Sequence, residues 1–209
     1  MNLAGSTLGD YRHVCAFFRT PDEEYRAFLP FIQEGFERGD RAVHFVDSTR
    51  RSDHLARLRN AGLDVDGTLK SRQLDIRISQ ETYLPDGRFD GDRMIAQVHQ
   101  VLEEGPALGF PLTRLVAHAE VMTEDGTRLD AFLEYESRLN YTLPRHRDPV
   151  ICTYDMARTS TGVAMDVLRT HPVVIISGVL QENPFFVPPD EFLVELADRR
   201  ARRARGRAT

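Results

Sequence analysis

Three acids close short apolar runs in this 209-residue chain: Asp47 ends Ala42–Asp47, Glu120 lies near the end of Leu115–Val121, and Asp155 follows Val150–Tyr154. Carboxylates gathered at one edge of a sheet raise one another's pKa or hold a cation between them. Phe18 and Arg19, closing and following the run His13–Phe18, would add an apolar wall and a clamp for one anionic group, and Tyr154 a second ring. Asp47 has an equal reading as a helix cap, because Ser48 and Thr49 follow it. Glu136 and Asn140, four residues apart, share one helix face flanked by Tyr135 and Tyr141. The seven histidines show neither HxH nor HExxH spacing. His13 and Cys15, two apart, point to one side of a strand that Cys152 on a parallel neighbour can approach; two thiols and one imidazole would suit a metal or redox chemistry. Satisfied core residues are the reading adopted for them, so no metal and no cofactor is expected. Without a GxSxG elbow, a CxxC pair or a cysteine at a helix start, nucleophilic catalysis has no candidate.

The frame for these residues is an alternation of β-branched runs and helical periods, which predicts an α/β fold with a mainly parallel sheet. Strands are expected at His13–Phe18, Ala42–Asp47, Leu74–Ile78, Leu115–Val121, Val150–Tyr154 and Val173–Ser177. Helices are expected at Asp22–Arg38, Ser48–Asn60, Asp92–Glu104, Leu129–Leu143, Thr161–Leu168 and Asp190–Arg207. In the first, Tyr25, Phe28, Leu29, Ile32 and Phe36 form the apolar stripe, Pro30 threatens a kink and Gly39 is the stop. In open parallel sheets ligands collect beyond the carboxyl ends of the strands. Phe18, Arg19, Asp47, Glu120, Glu136, Asn140, Tyr154 and Asp155 are therefore the expected lining of one ligand pocket.

The first strand-to-helix turn reads Phe17-Phe18-Arg19-Thr20-Pro21-Asp22-Glu23-Glu24, with neither glycine nor lysine. Phosphate sites at this turn need backbone amides free to approach, as in GxGxxG or GxxxxGK[ST]. P-loop ATP hydrolysis and Rossmann-type dinucleotide binding are disfavoured accordingly. Lys70 is the only lysine, which removes Schiff-base and Walker-type chemistry. A formal charge of −5 makes the body a poor match to nucleic acid, and the arginines at 199, 200, 202, 203, 205 and 207 read as a solvated helix end. No apolar run approaches the ~18 residues of a membrane span, and the start lacks a secretory signal, so a cytoplasmic protein is expected.

Ordered blocks of residues carry a resemblance. His13-Val-Cys15-Ala-Phe-Phe, Pro30-Phe31-Ile-Gln-Glu-Gly35, Thr82-Tyr83-Leu84 with Asp86-Gly87-Arg88-Phe89-Asp90, Glu134-Tyr135-Glu136-Ser-Arg-Leu-Asn140, Cys152-Thr-Tyr154-Asp155, Leu168-Arg-Thr-His171-Pro172 and Asn183-Pro-Phe-Phe-Val-Pro188-Pro189 resemble the MEDS domain, the sensory domain of DcmR-type regulators. The resemblance implies a three-layer RecA/KaiC-like α/β domain without a phosphate loop, over residues 13–189, between an extension at 1–12 and a helix with an Arg-rich tail at 190–209. It also implies a non-enzymatic sensor of simple hydrocarbon or one-carbon derivatives, signalling to a partner such as a kinase or transcription regulator. His13, Cys15, Cys152 and His171, all within matching blocks, are the expected sensing residues. One departure is Glu120-Val-Met-Thr, where such domains often show a tryptophan; this chain has none. The competing readings are a degenerate RecA-like nucleotide binder or ATPase-derived enzyme, with Glu120 as base and Asp155 as metal ligand, and a self-associating adaptor.

Overall fold

A computed structural model describes residues 1–124 and 126–206. Seven strands form the main sheet: β3 (His13–Phe18), β4 (Arg41–Val46), β5 (Leu74–Ile78), β6 (Thr113–His118), β7 (Val150–Asp155), β8 (Val173–Ile176) and β9 (Val179–Glu182), in the order β5-β4-β6-β7-β3-β8-β9. All neighbours are parallel except β9, which returns antiparallel along β8. Residues of β3, β4 and β6 are buried throughout, as expected of parallel strands covered on both faces.

Helices α1 (Pro21–Glu37), α2 (Arg51–Asn60) and α3 (Val65–Lys70) cover one face, packing Phe28, Phe31, Leu58 and Val65 against Val14, Ala16, Val116 and Ile151. Helices α4 (Ser79–Tyr83), α5 (Gly91–Ala107), α6 (Glu120–Thr123), α7 (Gly126–Thr142), α8 (Thr161–Leu168) and α9 (Pro189–Gly206) cover the other, against Cys15, Phe17, Phe45, Ala117 and Tyr154. Alternate residues of each strand face opposite layers, so His13, Cys15 and Phe17 look toward α7. The expected three-layer α/β architecture is what the chain adopts. No helix among the described residues is long and apolar enough to cross a membrane.

Local chemistry explains the element boundaries. Thr20 caps α1 by accepting from the Glu23 N–H, Pro21 occupies the first turn, and the helix runs through Pro30 to Glu37. Its buried stripe uses Ala27, Phe31 and Gly35, while Leu29 and Phe36 are only half-buried. The expected strand Leu115–Val121 stops at His118, because the backbone turns at Ala119 and Glu120 begins α6. Ser48–Asn60 divides into a single 3-10 turn and α2. A hairpin of β1 (Asn2–Leu3) and β2 (Ser6–Thr7), the short helices α3 and α4, and β9 have no counterpart in the sequence reading. β8 reverses into β9 through Ser177 and Gly178, both at positive φ, the two-residue hairpin turn favoured by strand twist.

Candidate functional site

Beyond the carboxyl ends of β3, β6 and β7, Phe18, Thr20, Pro21, Glu24, Arg50, Glu120, Thr153, Tyr154 and Asp155 surround a crevice of about 10 Å³. One water needs roughly 10–15 Å³, so the expected pocket is closed. Buried Glu24 fills it, accepting from Arg50 Nη2 at 2.6 Å and lying 2.7 Å from His118 Nε2. Burial opposes the charge of Glu24, but His118 and Arg50 outweigh it and hold the carboxyl at about 2. Burial also opposes the charge of His118, yet Glu24 raises its pKa. Beside this pair, Tyr25 Oη meets His54 Nδ1 at 2.6 Å and His54 Nε2 meets His44 Nδ1 at 2.9 Å.

Phe18, Glu120, Tyr154 and Asp155 thus meet around this crevice, whereas Arg19, Asp47, Glu136 and Asn140 lie outside it. Asp47 accepts from the Thr49 N–H and hydroxyl at 2.9 and 2.6 Å and from Arg158 at 3.1 Å, which is the capping role. Glu120 Oε1 accepts from the Asp155 N–H at 3.1 Å, and burial pushes the Glu120 carboxyl up. Arg19 is exposed, its backbone N–H donating to Glu23. Phe18 packs edge-on against Phe28. Glu136 and Asn140 lie at the opposite end of the sheet, since α7 runs back antiparallel to the strands and ends beside the first residue of β3.

There a second cluster forms. Glu136 Oε2 lies 3.1 Å from His13 Nε2, 3.2 Å from His171 Nε2 and 3.6 Å from Cys152 Sγ. All four residues are buried. Cys15, the register partner of Cys152, borders them with its thiol 3.7 Å from the Val173 carbonyl. Tyr154, on the same face, sets its ring edge-on to His171. Asn140 Nδ2 donates to the carbonyls of Ser137 and Thr170 at 3.0 and 2.8 Å, which turns Oδ1 toward His13 Nδ1 at 3.1 Å. His171 Nδ1 lies 3.0 Å from the Val167 carbonyl.

These outer bonds turn both Nε2 atoms toward one carboxylate. Among the described residues, Glu136 Oε1, the Tyr154 hydroxyl and the Ser137 hydroxyl have no hydrogen-bond partner, and His171 Nε2 completes none despite its proximity. Burial opposes ionisation of Glu136, but His13 and His171 hold its carboxyl at about 2. Burial, with His171 beside it, lowers the pKa of His13. Burial, then the Glu136 charge, pushes both thiols up. The carboxylate thus keeps its charge, while burial works against a proton on His13.

Against this cluster opens a cleft of about 490 Å³ lined by Asp10, Tyr11, Arg12, His13, Asn140, Leu143, Pro144, Pro172, Phe186 and Pro189. Its volume and mainly apolar walls with a few convergent polar groups are those of a small-molecule site. A larger cleft of about 680 Å³ lies over the N-terminal hairpin and α1, where only Glu23 and Arg26 bring charge.

Glu24, Arg50 and His118, which close the carboxyl rim, were not among the residues singled out from sequence. The meeting of Glu136 and Asn140 with His13 had a usable signal: His13 begins a strand, His171 precedes one, and all parallel strands start at one edge. Three of the C-terminal arginines are engaged in ion pairs. Arg199 pairs with Asp166, Arg200 with Glu134, and Arg203 with Asp130. Arg207 lies outside the described residues.

A comparison with protein families matches residues 12–172 to the one described as MEDS, MEthanogen/methylotroph, DcmR Sensory domain. The block Asn183–Pro189 lies beyond that match. No curated protein matches the chain.

Proposed function

The chain belongs to the MEDS family of sensory domains, and on that premise we propose that it senses a small, largely apolar molecule at the amino ends of the strands and relays its occupancy to a partner protein. The observation that carries this reading is the cleft of about 490 Å³ whose floor is the His13–Asn140 hydrogen bond. A guest against Tyr11, Leu143, Pro144 and Phe186 loses water from apolar surface. Its polar end reaches His13 and Asn140, through which occupancy alters the hydrogen bonding of Glu136. The partner, by family resemblance, is a kinase or a transcription regulator.

The test is a thermal-shift series with alcohols, amines and carboxylates of one to four carbons. A true ligand at ~100-fold its Kd stabilises by about 2.7 kcal/mol, which is a rise of roughly 5–10 °C for a domain of this size. Tyr11 is 55% exposed, so Tyr11→Ala should reduce the shift with little change in the unliganded midpoint. An unaltered shift in Tyr11→Ala would move the site elsewhere. Stabilisation by Mg-ATP with release of phosphate would instead establish the nucleotide reading, which the filled crevice around Glu24 disfavours.

A further inference from the structure

We propose that His13, Glu136, Cys152 and His171 form a binding site for one divalent ion of the zinc class. The ligand atoms of these four buried residues all lie within 4.8 Å of one another. A tetrahedral zinc ion with N and O ligands near 2.1 Å and a thiolate near 2.3 Å sets ligand–ligand separations of about 3.4 Å, or about 3.6 Å to sulfur. The carboxylate oxygen stands 3.1 and 3.2 Å from the two imidazole nitrogens and 3.6 Å from the thiol, and the thiol stands 3.9 Å from His13 Nε2. Four donors from β3, α7, β7 and the segment before β8 thus surround one point at nearly coordinating distances.

Three further observations separate this arrangement from an ordinary buried ion pair. The hydrogen bond to Asn140 and the close approach of the Val167 carbonyl orient both rings with Nε2 inward, the outer-shell arrangement typical of ligating histidines. Both Nε2 atoms converge on one carboxylate oxygen, so that a single cation between them would meet all three donors. Glu136 Oε1 is also unpartnered inside a fully buried site, where such an atom costs on the order of 1–3 kcal/mol. A dipositive ion answers all three. With one thiolate, one carboxylate and two neutral imidazoles it gives a site of zero net charge, the form least penalised by burial. On binding, the Cys152 S–H bond breaks, its proton leaves to solvent and the sulfur lone pair goes to the metal, with no change of oxidation state. The mixture of one soft thiolate with two imidazoles selects zinc over magnesium or calcium.

This proposal does not rest on the sensing reading, and Tyr11→Ala should leave it unaffected. The 209-residue chain is analysed for bound metal by mass spectrometry, stripped with chelator, then titrated with Co²⁺ as a spectroscopic substitute for Zn²⁺. Expected are about one equivalent of ion, a near-ultraviolet thiolate-to-cobalt absorption band, and a higher unfolding midpoint with metal than with chelator. Cys152→Ser should lose the band and weaken binding by at least about 10-fold, whereas Cys15→Ser should keep both. Circular dichroism checks that each variant folds; should Cys152→Ser not fold, His171→Gln is read instead by its altered visible cobalt spectrum and weakened binding. A folded apo protein that binds no Co²⁺ at micromolar concentration, or a band that survives in Cys152→Ser, overturns the proposal.

Discussion

The two ends of the sheet hold polar clusters of similar composition and opposite condition. At the carboxyl rim Glu24 faces His118 and Arg50, and both of its oxygens are engaged. At the amino edge Glu136 faces His13, His171 and Cys152, one oxygen is unpartnered, and a cleft adjoins. Arginine makes the difference. A permanent cation beside the rim carboxylate closes its charge without help from outside, whereas Glu136 has only imidazoles and a thiol beside it. In a sheet of this type the carboxyl rim is the usual ligand site. Here that rim is packed shut, and the unsatisfied chemistry lies at the other edge and on the other face.

The contrast is tested most strongly by the same substitution in both clusters. Glu24→Gln leaves Arg50 without its buried counter-charge and should cost about 3 kcal/mol. Glu136→Gln in chelator should cost less, because it leaves no permanent cation without its counter-charge. Urea unfolding of both variants measures this, and equal losses would erase the distinction between the clusters.

A smaller effect comes from pH. Burial lowers the pKa of His54 to about 3 and that of His44 well below its ordinary value. The unfolded chain therefore binds more protons than the folded one below about 6.5, and stability falls as pH falls. Glu24, held at about 2, loses its contribution only below about 4.5, and His118, raised in the fold, contributes fully below about 6.5. Between pH 6.5 and 5 the slope from this cluster belongs to His44 and His54, the latter at up to about 2 kcal/mol. His54→Gln, which can still bond Tyr25 and His44, should flatten the slope of stability against pH. An unchanged slope would place the titration elsewhere.

The smallest effect is expected at the C-terminal helix. Arg203 is more than half exposed and pairs with Asp130. Arg203→Gln should change stability by less than about 0.5 kcal/mol, and less still at high salt, by the same unfolding measurement. A loss above 1 kcal/mol would mean that α9 depends on its arginines rather than on Phe192 and Leu196, which are buried against the core.

How much was legible in advance differs by residue. The run His13–Phe18 and the period of Tyr25, Phe28 and Ile32 fixed a strand and a helix, because a covered parallel strand and an amphipathic helix are local patterns. The run Leu115–Val121 misled past His118, since β-branched residues pack as well in the first turn of α6 as at a strand end. The hairpin turn Ser177-Gly178 carries its signal locally, in a serine-glycine pair.

Sequence by itself determined which residues share a face: two-residue spacing puts His13 with Cys15, and four-residue spacing puts Glu136 with Asn140. It determined the absence of a phosphate loop as well, since the turn from β3 into α1 holds no glycine. Only the tertiary structure decided at which end of the sheet each set would lie and which partners would meet it. Periodicity fixes the direction of a side chain about its own axis, but its height along that axis comes from how elements distant in sequence pack. That packing brought Glu24 to His118 and Glu136 to His13, residues separated by 94 and 123 positions.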